Sequence, residues 1–300
     1  MLQKLEFMVA LARERHFGRA ALSCGVAQPT LSLGIQQLEE TLNVRLVKRK
    51  SRFQGFTSEG ERVLIWARRL VGDARAMRED ISELKRGLGS HIRMAAVPSA
   101  MPLVASITAP FQVRYPTVRF TLLTRPSSDL LGLLEQREID VGVTYIDNEP
   151  IGDVMKIPLS REQYVLLTTA DGAYGDSSRV TWAELATLPF CMLTRDLQNR
   201  RIIDSVLHTV GVEIVPMIEA DSIVALTSHV STGNWVSIVP RSVISAIDMT
   251  GNLRAIPIVE PEITRTIGLV VSERFPIQPT IVSLIQDARA RAHAELPTLA

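Results

Sequence analysis

Three hundred residues are enough for about two domains, and 46% hydrophobic against 22% charged residues exclude wholesale disorder. The formal net charge is only +1, yet residues 1–90 carry 16 Lys+Arg against 10 Asp+Glu, a net of +6, and residues 91–300 carry 17 against 22, a net of −5. Such a division suggests a basic module joined to a neutral or acidic one. Two cysteines, Cys24 and Cys191, exclude a disulfide framework, and no apolar run of about 18 residues offers a transmembrane helix. Charges at Glu6, Arg13, Glu14 and Arg15 interrupt the first segment, so it does not read as a signal peptide, and the expected location is cytoplasmic.

Leu2, Leu5, Met8, Val9 and Ala12 recur at helical spacing and predict an amphipathic helix over residues 2–14. A short helix over 18–23 and a third over 28–42 follow, separated by Cys24-Gly25-Val26. Pro29 falls in the first turn of the third helix, where its missing N–H costs nothing. Leu31, Ile35, Leu38 and Leu42 form the stripe of this helix predicted to be buried. Its opposite side offers Gln28, Pro29, Thr30, Ser32, Leu33, Gln36 and Gln37. This is a helix-turn-helix pattern, with small polar and amide side chains placed to reach base edges in a major groove. Residues 45–52 hold five basic residues in eight, and a hairpin there would lay Lys48, Lys50 and Arg52 along phosphate as a wing. Each signal alone is weak, because helix–glycine–helix units and solvated charge runs occur in proteins that never touch DNA.

In order, these residues resemble the winged helix-turn-helix of LysR-type transcriptional regulators. The resemblance is carried by Phe17-Gly18-Arg19-Ala20-Ala21, Val26-Ala27-Gln28-Pro29-Thr30-Leu31-Ser32, Ile35-Gln36-Gln37-Leu38-Glu39, Leu42 to Arg49, and Thr57-Ser58-Glu59-Gly60-Glu61. The chain departs from the family pattern at Ala27, usually Ser, at Leu33-Gly34, usually basic or amide, and at Phe56, usually Leu.

From Ser58 to Leu88 there is no proline, and Val63, Ala67, Leu70, Ala74, Met77, Ile81, Leu84 and Leu88 alternate spacings of four and three. That is a heptad seam and predicts a coiled-coil helix pairing two heads. The other reading is a helix packed on its own domain. LysR-type proteins use such a linker helix to dimerise, and Gly87, Gly89 and Ser90 would end it as a hinge.

Beyond residue 90, short apolar runs alternate with helical segments. The predicted strands are 92–97, 118–123, 139–144, 164–168, 189–193, 215–219, 236–239 and 267–272. The main predicted helices are 101–115, 130–137, 199–210, 222–232 and 280–292. This predicts an α/β domain with a largely parallel sheet. Ligands in such sheets sit beyond strand ends, at helix N-termini. Ser99, Ala100 and Met101, then Ser127 and Ser128, Thr144 and Tyr145, and Thr194 and Arg195 occupy those places. An arginine beside hydroxyls suits a carboxylate, while Ser99 and Ser127 read singly as N-caps.

This region resembles the LysR-type effector domain through residues 92–99, 134–143, 233–240 and 267–271. The resemblance implies a two-lobed, Rossmann-like, periplasmic-binding-protein-type effector domain, making the whole chain α/β with an all-α winged head. It divides the chain into a head at 1–58, a linker at 59–89 and an effector domain at 90–300. Lobe I would span 91–161 plus 267–300, and lobe II 162–266. The implied cleft adds Asn199, Asp221 and Trp235 to the residues above. Trp235 stands where the family usually has Gly, so its indole would narrow the pocket. Also implied are an inverted-repeat operator in double-stranded DNA, a homodimer through 58–88, a homotetramer, and RNA polymerase as a further partner.

The five histidines form no i,i+4 pair, and there is no CxxC, GxGxxG, GxxxxGK[ST] or GxSxG. Metal, cofactor and enzymatic chemistry are therefore not expected. Cys191 is the one thiol placed near the expected pocket, where an oxidant sensor and an inert core residue are both open readings. The resulting expectation is a transcriptional regulator switched by a small, anionic effector. The alternatives are an α/β enzyme, or a solute-binding module, with an accessory head.

Overall fold

The computed structural model describes residues 1–49, 53–86, 91–247, 251–273 and 277–295. It divides into two compact units, Met1–Gly87 with Glu135–Glu138, and Leu88–Leu134 with Ile139–Ala300.

The first unit contains α1 (Leu2–Glu14), α2 (Phe17–Ser23), α3 (Gln28–Leu42), β1 (Val47–Arg49), β2 (Phe53–Phe56) and α4 (Ser58–Arg86). Local chemistry sets these boundaries. Arg15, at φ 49°, closes α1, and the His16 ring Nδ1 caps α2 by accepting from Gly18 and Arg19 N–H groups. Asn43, at φ 51°, ends α3. Met8, Leu11, Ala20, Leu31, Ile35, Leu38, Leu46, Leu64 and Ala67 form one buried core. Gly34 has a packing reason, since a Cβ there would stand 2.6 Å from the Phe7 ring.

The second unit begins with β3 (His91–Ala96), α5 (Met101–Arg114), β4 (Arg119–Thr124), α6 (Ser127–Glu135) and β5 (Val141–Tyr145). It continues with β6 (Val154–Thr169), β7 (Val180–Thr181), β8 (Cys191–Leu193), α7 (Gln198–Thr209), β9 (Ile218–Ala220) and α8 (Ile223–Val230). It closes with β10 (Ser237–Pro240), α9 (Arg241–Ile247), β11 (Leu253–Val259), β12 (Thr264–Ser272) and α10 (Pro279–Glu295).

The sheet corrects the expectation of largely parallel pairing. Among the described residues the strand order is β4-β3-β5-β12-β6-β11-β7, with β10 also on β6. β3 runs parallel to β4 and β5, but β12 is antiparallel to both β5 and β6. β10 and β11 are antiparallel to β6 as well.

The long strand β6 makes the two lobes. Its residues Val154–Gln163 pair with β12, and Tyr164–Thr169 pair with β10 and β11. Sequence reading finds only 164–168 of this strand. The earlier half buries just one face, with Lys156, Pro158 and Arg161 pointing out between Ile157, Leu159 and Glu162. Pro158 sits opposite Gly268 where the register with β12 shifts, and a Cβ on Gly268 would lie 2.3 Å from the Ile157 carbonyl. Three further elements, β7, β11 and α9, also escape the sequence reading. No described helix is long and apolar enough to cross a membrane.

Candidate functional site

In the head, the buried Leu31, Gly34, Ile35 and Leu38 turn the opposite side of α3 outward. Gln28, Pro29, Thr30, Leu33 and Gln36 are exposed, and Ser32 is half-buried. Gln36 donates to Glu40 Oε1 at 3.2 Å. Gly34 faces the core against the Phe7 ring. Lys48 is exposed on β1, while Lys50 and Arg52 lie outside the described residues.

A buried carboxylate of α3 grips the hairpin. Glu39 is buried, and its Oε1 accepts from the N–H groups of Leu46 at 2.8 Å and Val47 at 3.2 Å. Its Oε2 pairs with Arg45 at 3.5 Å. Thr57 closes the base of the hairpin by donating to the Arg45 carbonyl at 2.6 Å, and caps α4 by accepting from Gly60 N–H at 2.9 Å. Sequence reading places Glu39 only in a family pattern. Its position among apolar neighbours is the available signal.

The heptad seam on α4 divides. Val63 and Ala67 pack into the head's own core, whereas Leu70, Met77 and Ile81 are exposed, joined by Trp66 at 61% exposure. Leu84 and Leu88 fall outside the described side chains. The first two seam positions are thus already satisfied within one chain, because the start of α4 packs along α1 in the head's core.

In the second unit, a cavity of about 640 Å³ lies between the lobes. Lobe I contributes Pro98, Met101, Pro102, Ala105 and Thr124–Pro126. Asp196, Leu197, Asp221–Val224 and Val243 come from lobe II. Of the sequence-predicted residues, Met101 and Asp221 line it directly. Ser128 is exposed and turned to Asp129, and Arg195 is exposed. Trp235 does not narrow this cavity. It is half-buried against the lobe II core that includes Cys191, Leu226 and Val230.

Ser99, Tyr145 and Asn199 do converge, in a buried polar cluster. The Tyr145 hydroxyl donates to Glu162 Oε2 at 2.8 Å, lies 3.2 Å from Ser99 Oγ, and accepts from Asn199 Nδ2 at 3.5 Å. Ser242 donates to Glu162 Oε1 at 2.8 Å. Beside it, Thr144 donates to Gln198 Oε1 at 2.6 Å, and Gln198 Nε2 reaches Asn148 at 2.9 Å. Ala100 is buried. Thr194 is half-buried, yet its hydroxyl is buried and has no partner among the described residues.

Burial raises the Glu162 carboxyl above its ordinary value, with the Ser242 and Tyr145 hydroxyls opposing the shift. Burial likewise raises the Tyr145 and Tyr164 phenols. A carboxyl raised in the folded state binds its proton more tightly there than in the unfolded chain. Its burial is harmless at low pH and becomes a penalty as pH rises from about 4.5 through the raised value. Glu162→Gln removes that titration. Urea unfolding across pH should therefore show the stability difference moving in the variant's favour above pH 4.5. The gain is about 1.4 kcal/mol for each tenfold by which folding tightens the hold on the proton. Parallel curves for the two proteins would contradict this assignment.

Two arginines opening α7, both missed in the sequence, dominate the rest of the site. Arg200 is fully buried, pairs with Glu219 at 2.6 Å and Asp204 at 2.8 Å, and donates to the Leu193 carbonyl at 2.8 Å. Arg201 grips Glu149 through Nε–Oε1 at 2.8 Å and Nη2–Oε2 at 2.9 Å. The same Nη2 donates to Ser127 Oγ at 2.9 Å. An Arg-Arg pair just past a strand is the available signal.

Cys191 is fully buried, and desolvation pushes its thiol up to about 11. Burial raises the Cys24 thiol too. Both are opposite to the lowered values of reactive thiols. Among the described residues, no group of three His, Cys, Asp or Glu could hold a metal ion.

Comparison with known proteins places this geometry. Residues 2–61 match the family described as "Bacterial regulatory helix-turn-helix protein, lysR family", and residues 85–292 match the "LysR substrate binding domain". The chain is 28% identical over 291 residues to the DNA-binding transcriptional dual regulator OxyR of Escherichia coli, covering 97% of this chain and 95% of that protein. It is 26% identical over 303 residues to a probable nitrogen assimilation transcriptional activator of Synechococcus elongatus, covering 98% and 96%. A full-length OxyR variant from Pseudomonas aeruginosa superposes with a TM-score of 0.74 at 25% identity, covering 96% and 94%. Full-length CbnR in complex with its target DNA superposes with a TM-score of 0.72 at 20% identity, covering 97% and 99%.

Proposed function

This chain belongs to the LysR family of bacterial regulatory helix-turn-helix proteins, and on that premise we propose how its parts divide the work. It is a DNA-binding transcriptional regulator with an effector-binding domain, not an enzyme. Residues 1–58 form the DNA-binding head, 59–89 the dimerising linker and 90–300 the effector domain. Within the effector domain, lobe I takes 91–161 plus 267–300 and lobe II takes 162–266. Gln28, Thr30, Ser32 and Gln36 read bases, with Pro29 and Leu33 in van der Waals contact with the groove. Lys48, Lys50 and Arg52 hold phosphate. The observation that carries this reading is the exposed amide and hydroxyl side of α3 above a buried apolar stripe, with the wing fixed to it by Glu39.

The exposed Trp66, Leu70, Met77 and Ile81 support pairing of two α4 helices, hence two heads on an inverted repeat. CbnR is known in complex with its target DNA, and the present chain is assigned the same class of partner. A homotetramer in the cytoplasm, acting on RNA polymerase at a promoter, completes the proposal.

The test is a gel shift on the chain's own upstream region across a salt series. Lys48→Ala should reduce the salt slope by about one. Gln36→Ala should relax base preference at one position, at about 1–3 kcal/mol. Absence of binding at low salt would sink the reading.

For the effector we propose a small carboxylate with an apolar body, seated in the 640 Å³ cavity. Ser127, Arg201 and Arg125 are the groups that suit its acid end. Peroxide is the competing class, because relatives of this chain are described as activators of hydrogen peroxide-inducible genes. Both thiols of this chain are raised rather than lowered, which favours the carboxylate. Cys191→Ser should leave DNA binding equally indifferent to micromolar peroxide. Peroxide-dependent binding that Cys191→Ser abolishes would reverse that choice.

A further inference from the structure

We infer that Glu149 is a built-in occupant of a carboxylate seat between the two lobes, which the effector's carboxylate takes over. This rests on the effector-binding reading above and names the regulation of that site.

Three observations carry it. First, the seat is already holding a carboxylate. Arg201 presents Nε and Nη2 to the two oxygens of Glu149 at 2.8 and 2.9 Å, and Ser127 Oγ lies 2.9 Å from the same Nη2. This fork-on-fork geometry is how a free carboxylate is recognised. Second, the seat adjoins the cavity. Arg201 Nη1 donates to the Asp196 carbonyl, and Asp196 and Pro126, the neighbour of Ser127, both line the cavity wall. Third, the pair is open to exchange. Side-chain exposures of 35% for Arg201 and 32% for Glu149 leave it in contact with solvent, where ion pairs are weak and competitors enter easily.

Charge explains why the occupant matters. The charged residues of the cavity lining are Arg125, Asp196 and Asp221, which do not favour an anion. Arg201 would correct that balance, but Glu149 neutralises it. Glu149 comes from the segment between β5 and β6, which Gln198 also holds through Asn148 at 2.9 Å. That segment belongs to lobe I, and Arg201 and Gln198 belong to lobe II. An effector carboxylate that replaces Glu149 therefore removes one tie between the lobes as it binds, so its binding energy is coupled to lobe geometry.

The test uses the full chain and acetate as the probe, with sodium chloride at equal ionic strength as the control. In thermal-shift titrations, Glu149→Ala should show a saturable, acetate-specific rise in melting temperature at least ten times tighter than wild type. Glu149→Ala combined with Arg201→Ala should lose it. Glu149→Gln, which keeps the shape but not the charge, should also gain acetate binding and serves if the alanine variant folds poorly. Equal acetate responses in all four proteins, or none in either single variant, would overturn the inference. Operator binding is measured on the same samples. Intact operator binding without an acetate-specific stabilisation of the Glu149 variants rejects the seat alone, whereas failure of wild type to bind the operator rejects the regulator reading.

Discussion

Glu39→Ala should lower the stability of the head by about 2–4 kcal/mol and weaken operator binding at every sequence. The carboxylate is 4% exposed and accepts from the N–H groups of Leu46 and Val47, which are 0% and 3% exposed. Removing it strands two buried donors, each worth about 1–3 kcal/mol when unsatisfied. The hairpin carrying Lys48 then loses its tie to α3, so phosphate contacts and base contacts no longer share one frame. Glu39→Gln retains an acceptor oxygen and should fall between the two. Urea unfolding gives the stability, and gel shifts on specific and scrambled DNA give the binding. A Glu39→Ala head as stable as wild type would show that the wing is held by the Thr57 contacts instead.

Arg200→Ala should destabilise the effector domain by about 3–5 kcal/mol. The side chain is fully buried, and it ties β8 through the Leu193 carbonyl, β9 through Glu219 and its own helix through Asp204. Truncation leaves a large cavity under α7 and breaks the ion pairs, two of the mechanisms that give large losses. Because Asp204 and Glu219 are themselves 37% and 44% exposed, they regain water, and most of the loss comes from packing and from the stranded carbonyl. Arg200→Lys should recover little, since an ammonium on a flexible stem cannot reach three acceptors in one plane. The measurements are the urea midpoint and hydrogen exchange over residues 191–209. Unchanged exchange at α7 would mean that Arg200 is not its anchor.

The head is legible because its determinants are local. The apolar spacing of α1, Pro29 at the start of α3 and the stripe Leu31–Ile35–Leu38 are readable within one or two turns. Even here one reading needs the fold. Gly34 looks like a lost DNA contact in the sequence, and it is a packing glycine against Phe7. On α4 the period is correct but ownership is not. Val63 and Ala67 continue the same heptad as Leu70 and Met77, yet the head's core claims the first pair and leaves the second exposed.

The candidate cleft is legible only in outline. Strand ends point to Ser99, Ser127 and Tyr145, but they do not say which arginine meets them. α7 begins at Gln198, which brings Arg201 to Ser127 and Glu149 and leaves Arg195 exposed. Glu162 and Ser242, which complete the Tyr145 cluster, lie 17 and 97 positions along the chain from it.

By itself the sequence determined a basic helical head, a long helix and an α/β remainder, because periodicity, caps and charge are set by near neighbours. Tertiary structure alone decided that β12 runs antiparallel to β6, that Trp235 stays out of the cavity, and that a carboxylate of the chain already fills the seat at Arg201. Each of these depends on which distant groups meet, and burial and hydrogen-bond geometry settle that only once the strands have paired.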